Sequence, residues 1–189
     1  MKIYLVTHAH TEQLVDVAAD RWCLSARGLQ QAEALEQSPF WDEVDRVILS
    51  SEAKTWLTVA HIVTAYSLPV WIDARFDELR RSGWIENYAE QVAAAFASPH
   101  EAIGEWETVA SVRQRALSGL ADLQRRFGNE TLALVGHELC HSILRAELLG
   151  HESADFSAWQ KLEFATSACF ALNPCRMIRD FELNIHRVR

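Results

Sequence analysis

A three-layer α/β/α sandwich around a mostly parallel central sheet is the fold this sequence predicts, and three observations predict it. Short apolar runs rich in β-branched residues alternate with segments of helical periodicity along most of the chain, the pattern of βαβ units. The runs read as buried strands, which requires helices on both faces of the sheet. About half of the 189 residues, 49%, are apolar, with no repeat, low-complexity tract or linker composition between them. That is enough for one sizeable core, so a single domain over 1–189 is expected.

Each element has its own signal. "KIYLVT" at 2–7 is a buried strand, and "LSARGLQQAEALEQ" at 24–37 a helix with Ser25 at its cap. "VDRVILSS" at 44–51 is a second strand, "KTWLTVAHIVTAY" a second helix, and "LPVWID" at 68–73 a third strand introduced by Pro69. The segment 84–105 reads as a mainly helical insertion. Over 107–127, Val109, Val112, Ala116, Leu120, Leu123 and Phe127 recur at steps of three and four, the stripe of an amphipathic helix. "TLALVG" at 131–136 is a fourth strand and "ELCHSILRAELLG" a helix closed by Gly150. Two last strands near 162–172 and 176–185 meet through "NPC", which predicts a hairpin at one sheet edge.

Bulk properties exclude several functions. A net charge of −8 gives no footprint for a polyanionic backbone, so no nucleic-acid partner is expected. Cys23, Cys140, Cys169 and Cys175 are widely spaced with no C-x-x-C pair, which fits a reduced cytoplasm. The apolar run at the start is too short for a signal segment, and no stretch approaches a membrane span. No membrane partner is expected, and composition sets no oligomeric state.

In open α/β sheets, ligands gather at the carboxyl ends of the strands. His8 follows the first strand and His137 the fourth, and His137 also opens a helix, where free N–H groups favour an anion. "HELCH" at 137–141 matches H-E-x-x-H, a zinc signature when both histidines lie within a helix. Here Gly136 and a strand precede the first histidine, and Leu144 and Glu147 occupy the Gly and His positions of the extended motif. A zinc site would need a third ligand such as Glu163 or His151. A structural or rim role for His141 is the better reading, and His10 reads as a rim residue.

The chain resembles the histidine phosphatase superfamily, the phosphoglycerate mutase-like fold, over nearly its whole length. "IYLVTHAHTE" resembles the strand and loop of the family's Arg-His-Gly motif, and "WCLSARGLQQAEAL" its "L-T/S-x-x-G-x-x-Q-A" helix. "VILSSEAKTWLTVAHI" is similar to "S-S-x-x-x-R-A-x-Q-T-A", "ARFDELRRSGW" to the stretch bearing the acid, and "ETVASVRQRAL" to "E-S-x-x-x-V-x-x-R". "LALVGHELCHSILRAEL" resembles "V-x-V-x-H-G-G-x-I-R-x-L", and "ATSACFAL" the late strand. The resemblance implies that His8 is a nucleophile taking a phosphoryl group, that Glu78 protonates the leaving oxygen, and that His137 contacts the transferred group. A neutral imidazole attacks in line, and positioned positive charge lowers the barrier, so neither metal nor cofactor is implied.

The departures concern charge. Thr7 stands where the family has an arginine before the nucleophile, Ala9 replaces the following glycine, and Thr55 aligns with the second arginine. Thr7 and Thr55 would therefore face the phosphate in place of two guanidinium clamps, and losing one such donor costs roughly 3 kcal/mol. Lys54 with Arg21 or Arg81 could rebuild part of the cationic pocket, although a lone Lys or Arg is more often a solvated surface charge. Trp84 and Trp106 read as packing residues, with a pocket roof as the alternative. The implied function is a cofactor-independent phosphatase for a small phosphomonoester or phosphorylated side chain. The rival is a member of the fold that binds a ligand or partner without turnover.

Overall fold

The computed structural model describes residues 1–81 and 85–182. Six strands form one sheet: β1 (Lys2–Thr7), β2 (Arg46–Leu49), β3 (Val70–Ile72), β4 (Thr131–Gly136), β5 (Ser167–Leu172) and β6 (Cys175–Arg179). The helices are α1 (Ala26–Glu36), α2 (Ala53–Ala65), α3 (Tyr88–Ala97), α4 (Val109–Phe127), α5 (Glu138–Leu148) and α6 (Phe156–Lys161). The strand order is β3-β2-β4-β1-β5-β6, parallel from β3 to β1, with β5 and β6 antiparallel as the expected edge hairpin. The sheet is thus mostly parallel and flanked by helices, as the alternation of elements required.

Side chains that alternate along a strand sort onto opposite faces of the sheet. Ile3, Leu5, Leu132 and Leu134 pack with residues of α3, α4, α5 and α6, while Tyr4, Val6, Ala133 and Val135 pack with α1 and α2. Leu5 and Leu134 are fully buried. Truncating either to alanine would cost about 2–5 kcal/mol and loosen the register on which the site depends.

Caps settle several helix starts. The Ser25 hydroxyl accepts from the Gly28 N–H at 3.1 Å, and that of Thr108 from Ser111 N–H at 3.1 Å. Gly28 itself is held close against the chain, since a Cβ there would lie 2.0 Å from the His10 carbonyl oxygen. Gly150, at φ +72°, follows α5 in the left-handed region that an L side chain rarely adopts.

Two expectations need correction. The strand anticipated from 162 begins only at Ser167, because α6 occupies Phe156–Lys161 and the backbone then folds against β1. Ala165 has φ 52°, which breaks any ladder, and its N–H donates to the His8 carbonyl at 3.1 Å. The last strand ends at Arg179, and residues 183–185 of its expected span lie outside the described residues. Within 84–105 the described structure holds one helix, α3. Trp106 is buried in the core, and Trp84 lies outside the described residues. Among the described residues no helix is long and apolar enough to cross a membrane. All four cysteines are free.

Candidate active site

Register brings the strand ends together. Thr7 pairs with Gly136 and Leu49 with Val135, so the residues that follow, His8, His137 and Ser50, emerge side by side. The His8 N–H donates to the Gly136 carbonyl at 2.9 Å, and the Ser50 N–H to Val135 at 3.3 Å. The His8 and His137 rings meet edge to face, with centroids 5.2 Å apart. Both line a cavity of about 900 Å³ with Glu78, Lys54, Arg81 and Glu138.

His8 is held in one tautomer. Its Nδ1 lies 2.7 Å from the Ala9 carbonyl, which can only accept, so Nδ1 carries the proton and Nε2 keeps its lone pair. Burial and the nearby Lys54 charge hold the imidazole down at about 4, so it is neutral and nucleophilic at physiological pH. Phe164, on the loop tied to β1, packs against both His8 and His10. His10 lines the cavity and is half-buried, with Nδ1 2.8 Å from the Ser25 hydroxyl.

Glu78 is the other titrating group. Its carboxylate accepts from the N–H groups of Leu139 at 3.2 Å and Cys140 at 3.1 Å, in the first turn of α5. The anion expected at this helix start is therefore an internal carboxylate. Burial outweighs these hydrogen bonds and pushes the Glu78 carboxyl up to about 7, where it can give and take a proton near neutrality.

The loop bearing Glu78 is stapled by α4. Arg115 donates through Nη1 to the carbonyls of Arg75 and Asp77, both at 2.8 Å, and through Nη2 to that of Glu78 at 3.0 Å. Its Nε and Nη2 also grip the two Glu107 oxygens, each at 2.9 Å. Burial works against the Glu107 charge, yet Arg115 holds the carboxyl at about 2, below its ordinary 4.5. A depressed carboxyl stabilises the fold above its ordinary value and loses that contribution as pH falls toward the folded one. Arg115→Met should therefore destabilise the protein by about 3–5 kcal/mol at neutral pH. Its stability should also fall less steeply than the wild type's between pH 4.5 and about 2, a difference that denaturant titrations at several pH values would measure.

The remaining candidates divide. Lys54 is buried and lines the cavity, but its Nζ is engaged by Glu52 Oε2 at 2.6 Å and the Ala19 carbonyl at 2.8 Å. Arg81 lines the cavity with its guanidinium 4.6 Å from the Tyr88 ring centroid and 5.8 Å from that of Trp22. Arg21 is exposed and lines none of the described cavities, so it does not rebuild the pocket from the first loop. Neither threonine faces the cavity as expected. The Thr7 hydroxyl donates to the Glu163 carbonyl at 3.0 Å and accepts from Thr166 N–H at 3.0 Å, while that of Thr55 donates to the Glu52 carbonyl at 2.9 Å. Both are fully buried and satisfy backbone.

His141 is structural. Its Nε2 lies 3.1 Å from the Val6 carbonyl, and burial keeps its ring neutral, down at about 3. A Cβ on Gly136 would come within 2.8 Å of the His141 ring, so glycine is required beside it. Among the described residues no three His, Cys, Asp or Glu side chains converge as metal ligands. His151 is exposed, and Glu163 faces Arg27 at 3.7 Å.

Three contributors escaped the sequence reading. Glu107 and Arg115 stand at both ends of the quoted "E-S-x-x-x-V-x-x-R" segment, and that spacing was their signal. Glu52 gave none. It precedes α2, where an acidic residue reads as an ordinary first-turn charge.

The family model of the histidine phosphatase superfamily (branch 1) matches residues 3–172. Phosphoserine phosphatase 1 of Hydrogenobacter thermophilus is 28% identical over 173 residues, 82% of this chain and 80% of that one. Mycobacterial glucosyl-3-phosphoglycerate phosphatase superposes with a TM-score of 0.79 at 18% identity, covering 97% of this chain and 98% of that one. That protein is also known in complexes with VO3 and inorganic phosphate. Phosphoserine phosphatase from Entamoeba histolytica, in complex with 3-phosphoglyceric acid, gives 0.73 at 18% identity, with 98% of both chains covered.

Proposed function

We propose that this chain, which belongs to the histidine phosphatase superfamily, hydrolyses small phosphomonoesters or phosphorylated side chains through a phosphohistidine on His8. The observation that carries the reading is the Nδ1 contact of His8 with the Ala9 carbonyl, which leaves the Nε2 lone pair for attack beside His137. In the first half-reaction that lone pair forms a P–N bond, the P–O bond to the leaving group breaks, and Glu78 gives its proton to the departing oxygen. In the second, Glu78 takes a proton from water, whose oxygen attacks phosphorus, and the P–N bond breaks to restore neutral His8. His137 contacts the phosphoryl group, and Lys54 and Arg81 supply positive charge at the cavity wall. The segment 84–105, as an insertion in a single domain, would roof the cavity through α3. Relatives named as phosphatases, two of them for phosphoserine, support a phosphorylated small molecule as substrate. Free cysteines fit a reduced cytoplasm.

The second reading is a binding protein without turnover. It is favoured by the 2.6 Å Lys54–Glu52 pair, which ties up a cation that a phosphate would need, and by Glu138 at the cavity wall. Phosphate release from a panel of aryl and alkyl phosphomonoesters, measured with a chelator present, separates the two. Sustained turnover supports the phosphatase; a folded protein that binds phosphate but turns over no ester in the panel supports the binder.

A further inference from the structure

His137 is fully buried, lines the cavity, and has an Nδ1 with no hydrogen-bond partner among the described residues. Buried polar atoms are nearly always satisfied, so an orphan of this kind asks for a ligand atom. On the other side of the ring, Nε2 lies 2.7 Å from the Ser50 hydroxyl and 3.4 Å from Glu52 Oε1. A carboxylate at that nitrogen favours a proton on Nε2, and a neutral ring would then present only a lone pair at Nδ1. Such a lone pair repels a phosphate oxygen. With the Nε2 proton held toward Glu52, a phosphoryl oxygen is satisfied at Nδ1 when the ring takes a second proton. The neutral alternative, a proton moved to Nδ1 with the Ser50 hydroxyl donating to Nε2, would leave the Glu52 oxygen without that partner.

Glu52 is placed for this. It is the N-cap residue of α2, yet its side chain makes no capping hydrogen bond. The carboxylate turns instead toward the site, where Oε1 accepts from the Glu78 N–H at 2.8 Å and Oε2 pairs with Lys54 at 2.6 Å. One half-buried carboxylate thus touches the cation, the loop of the acid and the second histidine.

We propose that Glu52 is a positioning residue that lets His137 take up a proton from solvent as a phosphoryl dianion binds, so that an imidazolium stands in for an absent guanidinium. The inference rests on the phosphate-binding reading of the cavity and deepens it. Without ligand the surroundings oppose that proton. Burial comes first, followed by the positive charges of Lys54 on α2 and Arg115 on α4, and His8, after β1, and His141, on α5, would add to that opposition only if they were themselves protonated. The incoming dianion reverses that balance with Glu52 as counter-charge, and the proton returns to solvent when phosphate leaves.

Long-range proton–nitrogen NMR of histidine-labelled full-length protein, titrated with inorganic phosphate at a pH where phosphate is dianionic, reads each ring separately. The expected result is one protonated nitrogen on His137 in the free protein and two in the complex. In Glu52→Gln, His137 should stay neutral in the complex and phosphate should bind about tenfold more weakly, the loss expected when a charge-assisted hydrogen bond is removed. A neutral His137 in the wild-type complex, or an unchanged imidazolium and affinity in Glu52→Gln, would overturn the proposal. The wild-type titration decides the protonation by itself if the glutamine variant does not fold. Phosphate that perturbs no cavity histidine would instead overturn the phosphate-site reading, and the proposal with it.

Discussion

His8→Ala is expected to lower phosphomonoester hydrolysis by at least about a thousandfold while leaving the fold intact. Nucleophile removal elsewhere costs between three and six orders of magnitude, because the remaining groups still bind but have no atom to attack with. His8 is 6% exposed and, among the described residues, its ring hydrogen-bonds only the adjacent Ala9 carbonyl, so a shorter side chain leaves a small gap at the cavity edge rather than a broken network. Unchanged circular dichroism with lost turnover would fit the assigned role. Retained turnover in a verified His8→Ala preparation would place the chemistry elsewhere.

Glu78→Gln is expected to separate substrates by their leaving groups. An alkyl alkoxide needs the proton that Glu78 supplies, so hydrolysis of alkyl phosphates should fall about 10²–10⁴-fold. A nitrophenolate leaves without a proton, so the same variant should lose far less on a nitrophenyl ester. The wild-type pH profile of kcat/KM, corrected for the ester's own ionisation, should carry the signature of both groups. It should rise as His8 is deprotonated at about 4 and fall as Glu78 loses its proton at about 7. The alkaline limb should vanish in Glu78→Gln. Equal losses on both esters, with that limb retained, would assign the proton to another group.

What was legible in the sequence follows from where the information is local. β1, β4 and α4 carry their signals in consecutive residues, an unbroken apolar run or a stripe at steps of three and four, and they lie where those patterns put them. His8 and His137 could be picked out because each directly follows such a run, and parallel register does the rest. The pocket's charges could not be read this way. Lys54 and Arg21 have the same chemistry in one dimension, yet one is 4% exposed at the cavity and the other lies on the surface. Thr7 and Thr55 inherited a role from aligned arginines, but a short hydroxyl next to unsatisfied backbone finds a nearer partner than a ligand. The stretch 162–166 looked like strand because its composition suits one; the left-handed φ of Ala165 and the loop's attachment to Thr7 and His8 are long-range effects with no local signature.

The central claim is that a phosphoryl group passes through His8, and the most direct measurement is rapid-quench trapping followed by peptide mapping under alkaline conditions, where phosphohistidine survives. The account predicts a transient, acid-labile phosphoryl group on the peptide bearing His8, formed and lost at rates that match turnover. Steady release of phosphate with no phosphorylated His8 at any quench time would contradict it.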